Sequence, residues 1–286
     1  MKKLFITASL VGLALGSFAQ PDRSKSIKMT NEAIAQGINK AVMSGDVDLA
    51  TSLVREDYVQ HTPVVPDGRK GLGILVGKIR SKEIPAPQIN NIRIIKDGDF
   101  VVLHHDVQWP NRKTMFEIFR MQDGLAAEHW SAIMDHPEKT ANGHSMTDGA
   151  NAITDTANTD KNKAFARAFV ENVLIKGQFD KILDYYHPNI IQHNPFIDNT
   201  VEGLISGVQQ LKEQGMSIQI EKVWKVFGEG NFVLVCSGGK FAGKPTAFFD
   251  LFRTEKGKIV EHWDVLQEIP DTDKQAHGNG FFDNSF

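Results

Sequence analysis

The feature that most constrains this chain is an internal repeat. Gln60-His61-Thr62-Pro63 returns as Gln192-His193-Asn194-Pro195, 132 residues later. Gly71-Leu72 returns as Gly203-Leu204, and Gly98-Asp99-Phe100-Val101 as Gly230-Asn231-Phe232-Val233, at the same offset of 132. Phe116-Glu117-Ile118-Phe119-Arg120 then matches Phe249-Asp250-Leu251-Phe252-Arg253, and Glu128-His129-Trp130 matches Glu261-His262-Trp263, both at 133. Ordered matches at a steady spacing mean one domain written twice. The length of 286 residues agrees, since it accommodates two domains of about 100–200 residues.

The repeat begins after a different kind of segment. Lys2 and Lys3 precede an apolar run over 4–15, broken only by Thr7, Ser9 and Gly12. Ser17 and Ala19 put small residues at −3 and −1 of a cut before Gln20. This is a secretory signal pattern of bacterial look, and it predicts a periplasmic or secreted protein. The run is shorter than the roughly 20 residues a spanning helix needs. The expected organisation is therefore a leader over 1–19, one domain over 20–149 and a second over 150–286. The formal charge of −3 leaves no basic surplus to attract nucleic acid or an anionic membrane. The single cysteine, Cys236, excludes an internal disulfide and a cysteine-based zinc site, and within Phe232-Val233-Leu234-Val235 it reads as a small buried hydrophobe.

Each copy opens with helical periodicity and continues with alternating strands. Helices are expected over 27–42, 47–55 and 72–79, and again over 163–175 and 204–214. Strands are expected over 89–96, 100–109, 113–121 and 125–133, and over 217–227, 231–240, 246–254 and 258–267, divided by turns such as Lys96-Asp97-Gly98-Asp99. Helices followed by an antiparallel meander make an α+β domain. Residues 137–160 are polar and read as a linker. Yet Ser145-Met146-Thr147-Asp148-Gly149 is partly echoed by Gly280-Phe281-Phe282-Asp283-Asn284, each just past a last strand. Two readings stay open, a free linker with a frayed end and a pair of tails that dock apolar tips.

Residues two apart on a strand share a face. That puts His262 and Asp264 on one face, with Asp250 and Phe252 on one face of the strand before. If both faces look toward the helices, two acids, a histidine and an aromatic line one apolar concavity. Desolvation and the neighbouring like charge would raise a carboxyl pKa toward a useful general-base value, the pattern whose standard illustration is ketosteroid isomerase. His193, between Gln192 and Asn194, is the expected polar partner at the rim, and Gln267 closes the same strand. The structural reading is that the acids are solvated and His262 is a satisfied core histidine. Retention of Gln-His and Glu-His-Trp in both copies favours a site.

The same residues carry a family resemblance. IIQHNP followed by EGL, with FRTEKGKIVEHWDVLQ near the end, resembles the SnoaL-like polyketide cyclase family of the nuclear-transport-factor-2-like superfamily. NKAFARAFVENVLIKGQFDKILDYYHPNIIQHNP is similar to its helical opening. The likeness is strong over about 160–270 and weaker over about 26–137. It implies two tandem cone-shaped α+β barrels, each with helices on a curved antiparallel sheet around a pocket. Members often pair through their sheets, which implies pairing of the copies within this chain or a homo-oligomer. The family's cyclases use an aspartate in the His-Trp-Asp position as acid and base, without cofactor or metal. By that likeness Asp264 is the base, while Asp250, His193 and His262 tune it or orient substrate. Gln192, Asn194, Phe252 and Gln267 become ligand contacts, and His61, Glu117 and His129 their counterparts in the first copy. The first copy departs at Ser131, which stands where Asp264 does and is neither acid nor base near neutral pH.

Other chemistry is weakly supported. His104-His105-Asp106 with His61 and His129 could suggest a metal, but adjacent strand histidines face opposite ways. No metal or cofactor is expected. There is no glycine-rich phosphate loop and no Gly-x-Ser-x-Gly elbow. The leading expectation is an exported protein doing proton-transfer chemistry on a small apolar carbonyl compound (aldol cyclisation, isomerisation or hydration). The alternatives are a ligand-binding module without catalysis and a purely structural duplication.

Overall fold

The computed structural model describes residues 29–282, so the leader expected over 1–19 lies outside the described residues. The first unit opens with α1 (Asn31–Ser44). The Thr30 side chain accepts from the Ala33 amide at its start, and Gly45 at φ 70° closes it. α2 (Val47–Ser52) is capped by Asp46. After β1 (Val54–Gln60) and α3 (Gly68–Arg80) come four long strands, β2 (Gln88–Asp97), β3 (Phe100–Trp109), β4 (Asn111–Gln122) and β5 (Leu125–Asp135). The second unit repeats this with α4 (Thr159–Phe169), α5 (Ile182–Tyr185), β6 (Tyr186–Gln192), α6 (Thr200–Glu213), β7 (Ile218–Glu229), β8 (Phe232–Phe241), β9 (Lys244–Glu255) and β10 (Lys258–Glu268).

Each unit holds a five-stranded sheet, in the order β1-β5-β4-β3-β2 and β6-β10-β9-β8-β7. The repeat in sequence is thus a repeat in topology. β1 and β6 do not stand out in the sequence. Arg55-Glu56-Asp57 interrupts one of them, and both are seven residues long. They run parallel to β5 and β10, so each sheet is mixed rather than a pure antiparallel meander. They also set the Gln-His motifs beside the last strands, pairing Gln60 with His129 and Gln192 with His262. The helix expected over 163–175 is α-helical to Phe169 and π-helical from Val170 to Ile175.

One face of each sheet packs under its own helices, with Ile38, Val76 and Phe119 in the first core and Phe169, Val201 and Phe252 in the second. The other faces pack against each other. Phe116, Ile118 and Trp130 share one buried cluster with Phe249, Leu251, Trp263 and Cys236. The free-linker reading of 137–160 gives way here, because the segment is docked. Met146 and, after the last strand, Phe281 are 1% and 3% exposed inside the shared cluster. The arms are exchanged. His193 Nδ1 in the second unit lies 3.0 Å from the Ser145 carbonyl, and His61 Nδ1 in the first lies 3.1 Å from the Gly280 carbonyl. Arg93 of β2 completes the seam. It donates to the Asp148 and Ala150 carbonyls and lies 4.1 Å over the Trp263 ring. Among the described residues, no helix is long and apolar enough to cross a membrane.

Candidate functional site

The concave face of the second sheet carries the acid pair. β9 and β10 register Asp250 directly opposite Asp264, and Phe252 opposite His262. These residues line a cavity of about 110 Å³ with Gln192 and Asn194, and the rest of its wall is mostly apolar, including Phe169, Tyr186, Leu204, Val208 and Leu266. Asp250, His262 and Asp264 are 6–8% exposed. A larger concavity of about 610 Å³ lies between the 272–282 tail and β7–β8, but no buried titratable side chain lines it.

Each acid has one side-chain hydrogen bond and one buried oxygen without a partner, Asp250 Oδ2 and Asp264 Oδ1, but their partners differ. His262 Nε2 lies 3.0 Å from Asp250 Oδ1, and its Nδ1 lies 2.9 Å from Gln192 Oε1. Both neighbours are acceptors, so the arrangement suits an imidazolium that donates twice. Burial pulls the His262 pKa down, but the Asp250 hydrogen bond and the Asp264 charge outweigh it and raise it above the ordinary value. Asp264 has one hydrogen bond, from Asn194 Nδ2 to its Oδ2 at 2.6 Å. Its Oδ1 is buried without a partner, and so is Gln192 Nε2. Burial is the main reason the Asp264 pKa rises to about 6; it outweighs the lowering effect of His262 and of the Asn194 hydrogen bond, and the Asp250 charge adds to it. The site thus offers a carboxyl that titrates near neutrality, an oxygen free to take a proton and an amide N–H₂ free to give a hydrogen bond.

Sequence reasoning placed several residues here that lie elsewhere. His193, expected at the rim, stacks on Trp263 at 4.5 Å on the opposite face of the sheet and meets Glu261 Oε1 at 3.2 Å. Burial pushes the Glu261 carboxyl up, but hydrogen bonds from His193 and Arg253 bring it down to about 2. His193 therefore belongs to the seam between the units. Gln267 also points to the seam, where its Oε1 accepts from the Ile133 amide at 3.2 Å. The cause is pleat parity: past the bulge between Ile259 and Glu261, odd positions of β10 face the other sheet and even positions face the cavity. Conversely, Tyr186 was missed because it starts the unread strand β6. It lines the cavity, and burial with the nearby acids keeps its phenol pKa well above the ordinary value.

The first unit uses the same positions differently. His61 stacks on Trp130 at 4.3 Å and lies 2.9 Å from Glu128 Oε2, so it too is a seam residue rather than a pocket contact. Glu117 lies opposite Ser131. His129, His105 and Asn39 approach its carboxylate at 3.2, 2.9 and 2.8 Å. Burial pushes the Glu117 pKa up, but the hydrogen bonds from His105 and His129 outweigh it and hold it well below the ordinary value. His105 stands where the second copy has Ser237, so an imidazole fills space that a hydroxymethyl leaves open. Ser131 Oγ is bonded to Thr62 Oγ1 at 2.8 Å. Glu117 is a saturated carboxylate, unlike Asp264.

Two described clusters bring potential metal-ligand atoms within 4.8 Å of one another, Asp250-His262-Asp264 and His144-Asp148-His193. His104 and His105 face opposite sides, one stacked on Phe116 and the other bonded to Glu117, and do not converge on an ion.

The SnoaL-like domain family matches residues 35–129 and again 166–262. Among solved structures, an NTF2-like protein of unknown function from Cytophaga hutchinsonii is 10% identical, with a TM-score of 0.34 over 38% of this chain and 94% of its own. IdmH from Streptomyces antibioticus, a candidate polyketide cyclase, is 22% identical, with a TM-score of 0.32 over 37% of this chain and 92% of its own. TsrD from Streptomyces laurentii is 17% identical, with a TM-score of 0.32 over 36% of this chain and 86% of its own. A search of curated proteins returns no match.

Proposed function

The chain belongs to the SnoaL-like family, matched over both of its halves, and from that premise we propose that its second unit catalyses cofactor-independent proton transfer next to the carbonyl of a small apolar compound. The observation that carries this reading is Asp264, a buried carboxyl that lines the cavity, with an unpartnered Oδ1 and a pKa raised to about 6 by burial. Above that value Asp264 is a carboxylate poised to act as base.

The roles follow from the contacts. Asp264 Oδ1 takes a proton from the carbon beside the carbonyl. The carbonyl oxygen gains the negative charge of the enolate and accepts from Gln192 Nε2. Asn194 holds the other Asp264 oxygen, so the carboxylate keeps one orientation. His262, oriented by Asp250, holds Gln192 Oε1, which fixes the direction of its amide. Return of the proton to a different carbon gives an isomerisation. Attack of the enolate carbon on a second carbonyl of the same molecule gives an aldol closure, with the proton delivered to the new alkoxide. The leader read over 1–19 would put this reaction outside the cytosol.

Among the described residues of the first unit no carboxyl matches Asp264, since Glu117 is held by three donors and Ser131 replaces the aspartate. Its reading is a non-catalytic half that supports the seam.

The test uses 2-butanone in D₂O, with ¹H NMR following exchange of the protons beside its carbonyl. The protein accelerates exchange, with a rate that rises with pH through about 6. Asp264→Asn lowers it by about 10²–10⁴-fold, the usual contribution of a general base. Equal exchange by the variant rejects the base assignment.

A further inference from the structure

The cavity is small for a ligand site. At about 30 Å³ per water-sized group, 110 Å³ holds about four non-hydrogen atoms. Ligand pockets usually span about 300–1,000 Å³. A second apolar concavity of about 330 Å³ adjoins it, and Asn194, Ile218 and Leu266 line both. Together they reach the usual range. Asn194, the residue bonded to Asp264, stands at the passage between them.

The outer groove has two unusual features. Its walls include Phe196 and Ile218, 55% and 39% exposed, where large apolar side chains meet water without a protein partner to cover them. Its far wall includes Met134, which comes from β5 of the first unit. The groove is therefore built by both copies of the domain, although the acid pair belongs to one. The Lys244–Glu268 ion pair, 2.8 Å apart, lies at its open end and is largely solvated.

Resting on the proposed function of Asp264, we propose that the substrate is an elongated, uncharged carbonyl compound whose carbonyl end enters the inner cavity and whose apolar body lies in the outer groove against Met134 and Phe196. An anionic head is disfavoured because it would approach the Asp250–Asp264 pair. A body longer than about four atoms must leave the inner cavity, and the passage beside Asn194 leads it into the groove. Met134 then sets chain-length preference without touching the reacting atoms. The first unit, inert in its own interior, contributes to specificity in the second.

The test is a chain-length series of linear 2-alkanones, from 2-butanone to 2-decanone, with binding measured by ligand-observed NMR and proton exchange measured separately. Affinity of the unaltered protein rises about threefold per added methylene once the chain outgrows the inner cavity, as expected for apolar burial. Met134→Trp fills the groove and reduces 2-decanone binding to the level of 2-butanone, whose own affinity is unchanged. Phe196→Ser changes an exposed side chain and so spares the fold, and it flattens the length dependence. Affinity independent of length overturns the proposal, as does equal weakening of short and long ketones by Met134→Trp. Failure of every alkanone to bind also overturns it. Retained length dependence with undiminished exchange in Asp264→Asn would instead reject the base assignment and leave the groove standing.

Discussion

Asp264 and Ser131 occupy the same place in the two halves, and the chemistry of the molecule turns on their surroundings. Asp264 has one hydrogen-bond partner and an apolar cavity; Glu117, the acid nearest Ser131, has three donors. Burial without enough donors raises a carboxyl pKa, and burial with a full set of donors lowers it. Asp264 therefore lowers stability near neutral pH, which the proposed role as base would explain. Its folded pKa, about 6, exceeds the ordinary 3.8, so the folded protein binds this proton more tightly than the unfolded chain does. The favourable contribution is complete below about 4 and is lost as pH rises to about 6. Asp264→Asn should stabilise the protein at pH 7 by on the order of 1–3 kcal/mol and give no gain at pH 4. Urea denaturation at the two pH values measures this, and an equal effect at both would refute the electrostatic account.

At the scale of single elements, the hairpins that join β2 to β3 and β7 to β8 show how equal sequence signals can hide unequal structure. Gly98 and Gly230 both adopt positive φ, 60° and 62°. A side chain at Gly98 would meet open space, while at Gly230 it would collide with the Thr154 carbonyl. That carbonyl accepts from the Asn231 amide at 2.8 Å and so cannot easily withdraw. Gly98→Ala should cost about 1 kcal/mol, the usual strain of a left-handed residue. Gly230→Ala should cost at least about 2 kcal/mol more, because the docked segment must also move. Chemical denaturation of the two variants compares them, and equal costs would show that the contact yields. The hairpins themselves were legible from Gly-Asp-Phe-Val and Gly-Asn-Phe-Val. The docked partner was not, because residues 137–160 are polar almost throughout and carry no periodicity.

For the whole molecule, the shared cluster between the sheets decides cooperativity. Phe116 of the first unit lies 6.4 Å from Phe249 of the second, and both are fully buried. Neither sheet can expose that face to water without losing apolar burial worth about 25 cal/mol per Å². Phe116→Ala should lower stability by about 3–5 kcal/mol, and calorimetry should still show one transition for both units. Two separated transitions would mean that each half folds on its own. The exchanged arms work in the same direction, since each unit's Gln-His motif is covered by the segment that follows the other.

By itself, the sequence determined that one α+β domain is present twice, that His262 and Asp264 share a strand face, and that Ser131 breaks the symmetry of the copies. Those properties are local: offsets, turn residues and the two-residue period of a strand can be read along the chain. The tertiary structure alone decided which face was the cavity and which the seam. It therefore moved His61, His193 and Gln267 to the seam and brought in Tyr186. A strand's period separates its faces but does not name them; only the partner packed on each face does. The pKa of Asp264 was decided in the same way, because desolvation depends on everything around a group and not on the residues beside it in sequence.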